Sequence, residues 1–166
     1  PHPDNSAMDM IEQLLNRGRT SRFYQNIVEK QTAIVAFASN GNPGERYPNM
    51  IIFGGDPRNP HTNADLENAI WTELDRLKKE QVPEKELQKI RNQAEADFIR
   101  NLSSNNGMAS QLAYSQSVLG NWKYLFKYLE SIRTVTPTQI QTAAQQYFTK
   151  DNTTIAYLER PSKEEK

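Results

Sequence analysis

Residues 9–39, DMIEQLLNRGRTSRFYQNIVEKQTAIVAFAS, decide how the rest of the chain is read. Ala7, Met10, Ile11, Leu14 and Leu15 fall at the i, i+3, i+4, i+7 spacing of one apolar helix face. Gly18 ends that helix. Glycine takes up the left-handed conformation after a last turn without a Cβ penalty, and Arg17 and Arg19 place positive charge at the carbonyl end of the helix dipole. Thr20 or Ser21 can then cap a second, short helix through Gln25 or Glu29 that buries Phe23, Ile27 and Val28 on one side. From Thr32 to Ala38 the residues become β-branched, small and aromatic, which predicts a well-buried strand.

Downstream, the Gly-, Pro- and Asn-rich run NGNPGERYPN (residues 40–49) separates this strand from a second apolar one at Met50–Gly55, and the simplest pairing of the two is antiparallel. After DPRNPHTN, Thr62 or Asn63 caps a long helix with the stripe Leu66, Ile70, Leu74 and Leu77. Val82-Pro83 opens the next helix, with Glu84 and Glu86 at its positive end and Leu87, Ile90, Ala94, Phe98 and Leu102 on its buried side. A joint at Asn105-Asn106-Gly107 leads into a helix that Gly120 ends, and Asn121 caps another that carries Trp122, Leu125, Leu129 and Ile132. Thr136-Pro137-Thr138-Gln139 combines a capping box with proline at the first helical position, and Ile140, Ala143, Ala144, Tyr147 and Phe148 follow at helical spacing. Thr153–Leu158 reads as a closing strand, and residues 161–166 as a disordered charged tail. The pattern predicts one α+β domain over residues 1–160, with helices packed on one face of a small three-stranded antiparallel or mixed sheet.

Composition narrows the function classes. Lys and Arg number 20 and so do Asp and Glu, so no net field collects phosphates and nucleic-acid binding has no electrostatic support. The absence of cysteine rules out disulfides and thiolate metal sites. No apolar run reaches the ~18 residues that a membrane span needs. The opening PHPDNSAMD, without an initiator Met, reads as an interior segment of something longer.

The run Gly18-Arg19-Thr20-Ser21-Arg22-Phe23, then Glu29-Lys30-Gln31 and a strand, resembles the Gly-x-Ser-Ser-Arg-Leu segment of the pitrilysin/insulinase superfamily of zinc metallopeptidases, to which the mitochondrial processing peptidases belong. His2-Pro3-Asp4 fits the same template, as do Pro83 with Glu86-Leu87, Leu119-Gly120-Asn121, and the closing run from Val135-Thr136 through Ile140 to Tyr147-Phe148. No one of these motifs is specific; their order and spacing along the whole chain are. The resemblance implies a processing-peptidase-like half-domain lacking its opening strands, from the non-catalytic C-terminal half of a two-half peptidase. It also implies that zinc sits in the catalytic N-terminal half or in a partner subunit, and that the two halves enclose a peptide substrate.

A zinc peptidase of this kind needs an inverted His-x-x-Glu-His helix and a further downstream ligand. Only His2 and His61 are present, one near the start and one in a Pro/Asn-rich loop, so they read as surface histidines and neither metal nor catalytic residues are assigned. Glu84 with Glu86, and Glu95 with Asp97, could suggest acid–base work, but helix-terminal charge and a solvated face explain them more simply. Ser21 lies outside any Gly-x-Ser-x-Gly elbow. In active relatives, the resemblance implies, the non-catalytic half supplies an Arg and a Tyr that grip substrate; the matching positions here are Val28 and Val35, which cannot. Arg19 and Arg22 could substitute, although ion pairing at a helix end accounts for them, and Tyr124 with Tyr128 could form an aromatic platform, although their spacing suits packing.

Two functions from different classes remain: the non-catalytic wall of a zinc peptidase's peptide chamber, or a non-proteolytic structural subunit related to the peptidases. An unrelated helical binding module is a weaker third. A sheet cut from a larger one also predicts that the isolated chain self-associates, through Ala33–Ala38, Thr153–Leu158 or the exposed sheet face.

Overall fold

The computed structural model describes residues 2–159. Strands β1 (Ala33–Asn42) and β2 (Met50–Pro57) form an antiparallel pair, and the described residues also form six α-helices: α1 (Asn5–Asn16), α2 (Asn63–Lys79), α3 (Glu84–Leu102), α4 (Asn105–Leu119), α5 (Tyr124–Thr134) and α6 (Pro137–Tyr147). The class is α+β, with α1, α2 and the π-helical turn Tyr24–Val28 packed on one face of the sheet.

Local chemistry sets most boundaries. Helix α1 stops at Asn16, and Gly18 takes the left-handed φ of 72° that its joint requires. The Thr62 side chain accepts the Asp65 amide while the Asp65 carboxylate accepts the Thr62 amide, a reciprocal cap that opens α2; Thr136 and Gln139 do the same for α6. Asn121 works one turn early, its Oδ1 accepting the Lys123 amide at 3.0 Å before α5 begins. Gly107 is not the joint it was expected to be. Ser104 caps α4, and Gly107 lies inside its first turn, so close to the end of α3 that a Cβ there would sit 1.9 Å from the Asn101 carbonyl oxygen.

One continuous core joins α1, β1, α2, α3, α5 and α6, with Met10, Ile11, Leu15, Phe23, Ile27, Leu77, Leu87 and Ile140 fully enclosed. Phe53 from β2 packs edge-on between Phe23 and Phe148, tying the sheet to the first joint and the last helix.

Two strand expectations need correction. Thr153–Leu158 does not close the sheet: among the described residues the sheet has two strands, and this segment runs exposed beside α2, held by Asn63 on the Leu158 carbonyl and Tyr157 on Glu67. A strand exists only where its amides and carbonyls find a ladder, and here the bonds come from side chains instead. Nor is β1 well buried throughout. Its inward positions are the alanines Ala33, Ala36 and Ala38, small enough for α1 to approach, whereas Ile34, Val35 and Phe37 face outward with Met50 and Ile52 of β2. The pairing slips between Ala33 and Val35, so the alternation expected of a regular strand is broken at Ile34. The charged tail expected at 161–166 lies outside the described residues.

Candidate functional site

A concavity of about 930 Å³ lies between α1, α3, α4 and α5. Its floor is the polar side of α1: Asp9 and Glu12 stand one turn apart beside the buried Met10 and Ile11. Asn40, at the end of β1, donates to Asp9 Oδ1 at 2.8 Å, and Asn5 donates to Oδ2 at 3.2 Å. Tyr114 of α4 donates to Glu45, which the β1–β2 loop hangs over the rim. Tyr124 and Tyr128 of α5 line the opposite wall, with the Lys127 ammonium 5.2 Å from the Tyr124 ring centre. A second cleft of about 670 Å³ lies on the other side of Glu45, between the loop, Leu119 and Tyr147.

Burial governs the electrostatics of this region, and neighbouring carboxylates add to it. Burial pushes the Asp9 carboxyl up to about 6 against the hydrogen bond from Asn40, and the Glu45 and Glu12 carboxylates add to the rise. Burial raises Glu12 as well, with Glu45 contributing. The Tyr128 phenol is raised by burial and then by Asp9, and that of Tyr114 by burial and then by Glu45.

The residues singled out in the sequence are mostly placed elsewhere. His2 sits at the rim of both clefts, its Nδ1 accepting the Asp4 amide at 3.2 Å, while His61 pairs with Asp65 before α2. Among the described residues no three His, Asp or Glu side chains converge on a point that could hold a metal ion, so these residues do not supply the ligand set that zinc needs. Glu86 receives Arg22 in a bidentate pair, Nε at 3.0 Å and Nη2 at 2.8 Å, which ties the Gly18 joint to α3; Arg22 is buried by it and is not free to grip a ligand. Arg19 stacks on Tyr24 at the surface, 5.7 Å from its ring centre. Glu84 pairs with Arg91, Glu95 with Arg133, and Asp97 with Arg17 and Arg100. Ser21 is buried, and its backbone continues the turn after Gly18. Val28 packs half-buried against the core, and Val35 is exposed on the outer sheet face. Tyr124 and Tyr128 do line a cleft.

Sequence reading missed Asp9, Glu12, Asn40, Glu45 and Tyr114. A signal was present: Asp9 interrupts the apolar run Ala7–Ile11. Its partners lie 31 and 36 residues downstream, and only the β1–β2 turn brings them back over α1.

Carboxylates and phenols thus line both clefts of this α+β fold. The chain belongs to the family described as the peptidase M16 inactive domain, whose model matches residues 1–94. It is 29% identical over 159 residues to the zinc protease PqqE of Helicobacter pylori, across 95% of this chain and 35% of that protein. The crystal structure of a protease from Helicobacter pylori superposes with a TM-score of 0.81 at 27% identity, covering 89% of this chain and 35% of the other. A crystallised inactive peptidase domain from Bordetella parapertussis shares the fold, with a TM-score of 0.80 at 18% identity over 91% of this chain and 81% of its own. The chain thus spans about a third of the length of the curated relatives it matches.

Proposed function

We propose that this chain is part of the non-catalytic C-terminal half of an insulinase-like zinc-dependent metallopeptidase, and that it walls the chamber in which a peptide is held. The observation that carries this reading is the pairing of family membership with a concave cleft of about 930 Å³ lined by carboxylates and aromatic rings, a size that suits a short stretch of peptide. Hydrolysis in this reading belongs to a catalytic half, which brings the zinc; this chain's residues bind, orient and exclude water. The outer sheet face, with Ile34, Val35, Phe37, Met50 and Ile52 exposed together, supports docking against that half or against a partner subunit.

The test joins this chain to a catalytic half in one protein and compares Tyr128→Ala with the parent. A peptide-holding wall predicts a KM several-fold higher with kcat little changed, because removing contacts made equally in ground and transition states weakens binding alone. An unchanged KM, with assembly intact, would favour the structural-subunit reading.

A further inference from the structure

Glu45 is shared by both clefts. With His2, Asn5 and Leu119 it lines both the cleft of about 930 Å³ and that of about 670 Å³, so it stands among the residues where the two meet. It is also the point at which the exposed β1–β2 loop is fastened down. Tyr114 donates to its carboxylate from α4, and its Cγ lies against Gly41, where an added Cβ would approach to 3.1 Å. Gly41 has φ of 80°, a conformation that suits glycine, so the close seat and the turn are built together.

Beneath this fastening lie charges of the same sign. Asp9 and Glu12 face Glu45 from α1, which carries no cation of its own, and Arg17 just after it is engaged by Gln13 and by Asp97 of α3. From α5, Tyr128 faces Asp9, while Lys127 lies over Tyr124. Arg46, beside Glu45 in the loop, lines only the second cleft, where Tyr147 of α6 is bound to Asp4. His2 completes the shared rim and accepts the Asp4 amide. Asp9 is thus the hinge of the arrangement, held by Asn40 from the strand that carries the loop and by Asn5 from its own helix.

We propose that Glu45 is a proton-governed gate: while Asp9 is neutral the loop stays fastened and the two clefts are separate, and ionised Asp9 and Glu12 repel Glu45, freeing the loop and merging the clefts into one groove along α1 and α4. The merged groove offers an extended ligand a continuous path from Tyr124 to Tyr147, which neither cleft offers alone. The gate is a property of this chain and does not depend on the catalytic reading above.

The chain has no cysteine, so Tyr47→Cys on the loop and Ser117→Cys on α4 give a unique pair for spin labels. The expected result is a short, narrow interlabel distance at pH 5 and a longer, broader one at pH 7.5. The long-distance population should grow up to ~10-fold, following ionised Asp9 across a pKa of about 6. Asp9→Asn in the labelled background should keep the short distance at both values, and Glu45→Gln should also abolish the response, so either variant suffices if the other fails to fold. A distance distribution that does not change with pH would overturn the gate, as would a pH response that survives in whichever of the two variants folds.

Discussion

Asp9 carries a stability signature that can be separated from gating. Its carboxyl moves from an ordinary 3.8 to about 6 on folding, mainly through burial, so the folded state favours the protonated form. A group raised in this way contributes stability that is fully present below pH 3.8 and is lost as pH rises through 6. Asp9→Asn should therefore be more stable than the parent at pH 7.5, by about 1–3 kcal/mol, with the advantage shrinking to nothing near pH 4. Urea melts at the two pH values decide it; equal differences at both would show that Asp9 is not strained by its surroundings. At the sheet, Gly54 and Gly55 differ in kind. A Cβ on Gly55 would fall 2.2 Å from the Val35 carbonyl oxygen, whereas one on Gly54 meets the tip of the Phe37 ring, which can swing outward, and one on Gly44 meets nothing within 4 Å. Gly55→Ala should cost about 1–3 kcal/mol through forced backbone shift, Gly54→Ala less, and Gly44→Ala very little. Thermal melts that fail to rank the three in this order would contradict the β1–β2 register.

Among the elements, α6 tests how far local pattern fixes packing. Ile140 is fully enclosed, while Gln141 reaches sideways to donate to the Lys78 carbonyl of α2 at 3.1 Å. Ile140→Asp should destabilise by at least ~3 kcal/mol, since a carboxylate is buried without a partner, and Gln141→Asp by about 1 kcal/mol for one lost hydrogen bond. Comparable melting temperatures would remove the register proposed for this helix. That register was legible in the sequence because the Thr136 cap and the apolar stripe use residues within a few positions of one another. The same holds for the α1 stripe, Gly18 and Gly120. Element α4 was legible only in part: Ser104 and Gly107 make similar local signals, and the contact of Gly107 with Asn101 that separates them comes from the angle between α3 and α4.

At the scale of the molecule, the outer face of β1 and β2 should govern association. Its exposed Ile34, Val35, Phe37, Met50 and Ile52 form an apolar surface larger than scattered surface residues account for. The isolated chain is expected to self-associate at high micromolar concentration, and Val35→Lys to shift it toward monomer in sedimentation equilibrium; a parent chain that stays monomeric would show that the face is inert. Titration calorimetry of the same sample with zinc is expected to give no stoichiometric high-affinity site, because His2 and His61 precede different helices and no three His, Asp or Glu side chains converge among the described residues.

By itself the sequence determined the helices, the caps at Thr62 and Thr136, the α+β class and the family, since each depends on residues near in the chain or on the order of motifs along it. Only the tertiary structure decided which side of β1 is buried, that Thr153–Leu158 finds no ladder, and that Asp9, Asn40, Glu45 and Tyr114 meet. The physical reason is the same in each case. A strand's burial, a strand's partner and a cluster of charges are fixed by what lies across space from them, and hydrophobic periodicity carries no information about that distance.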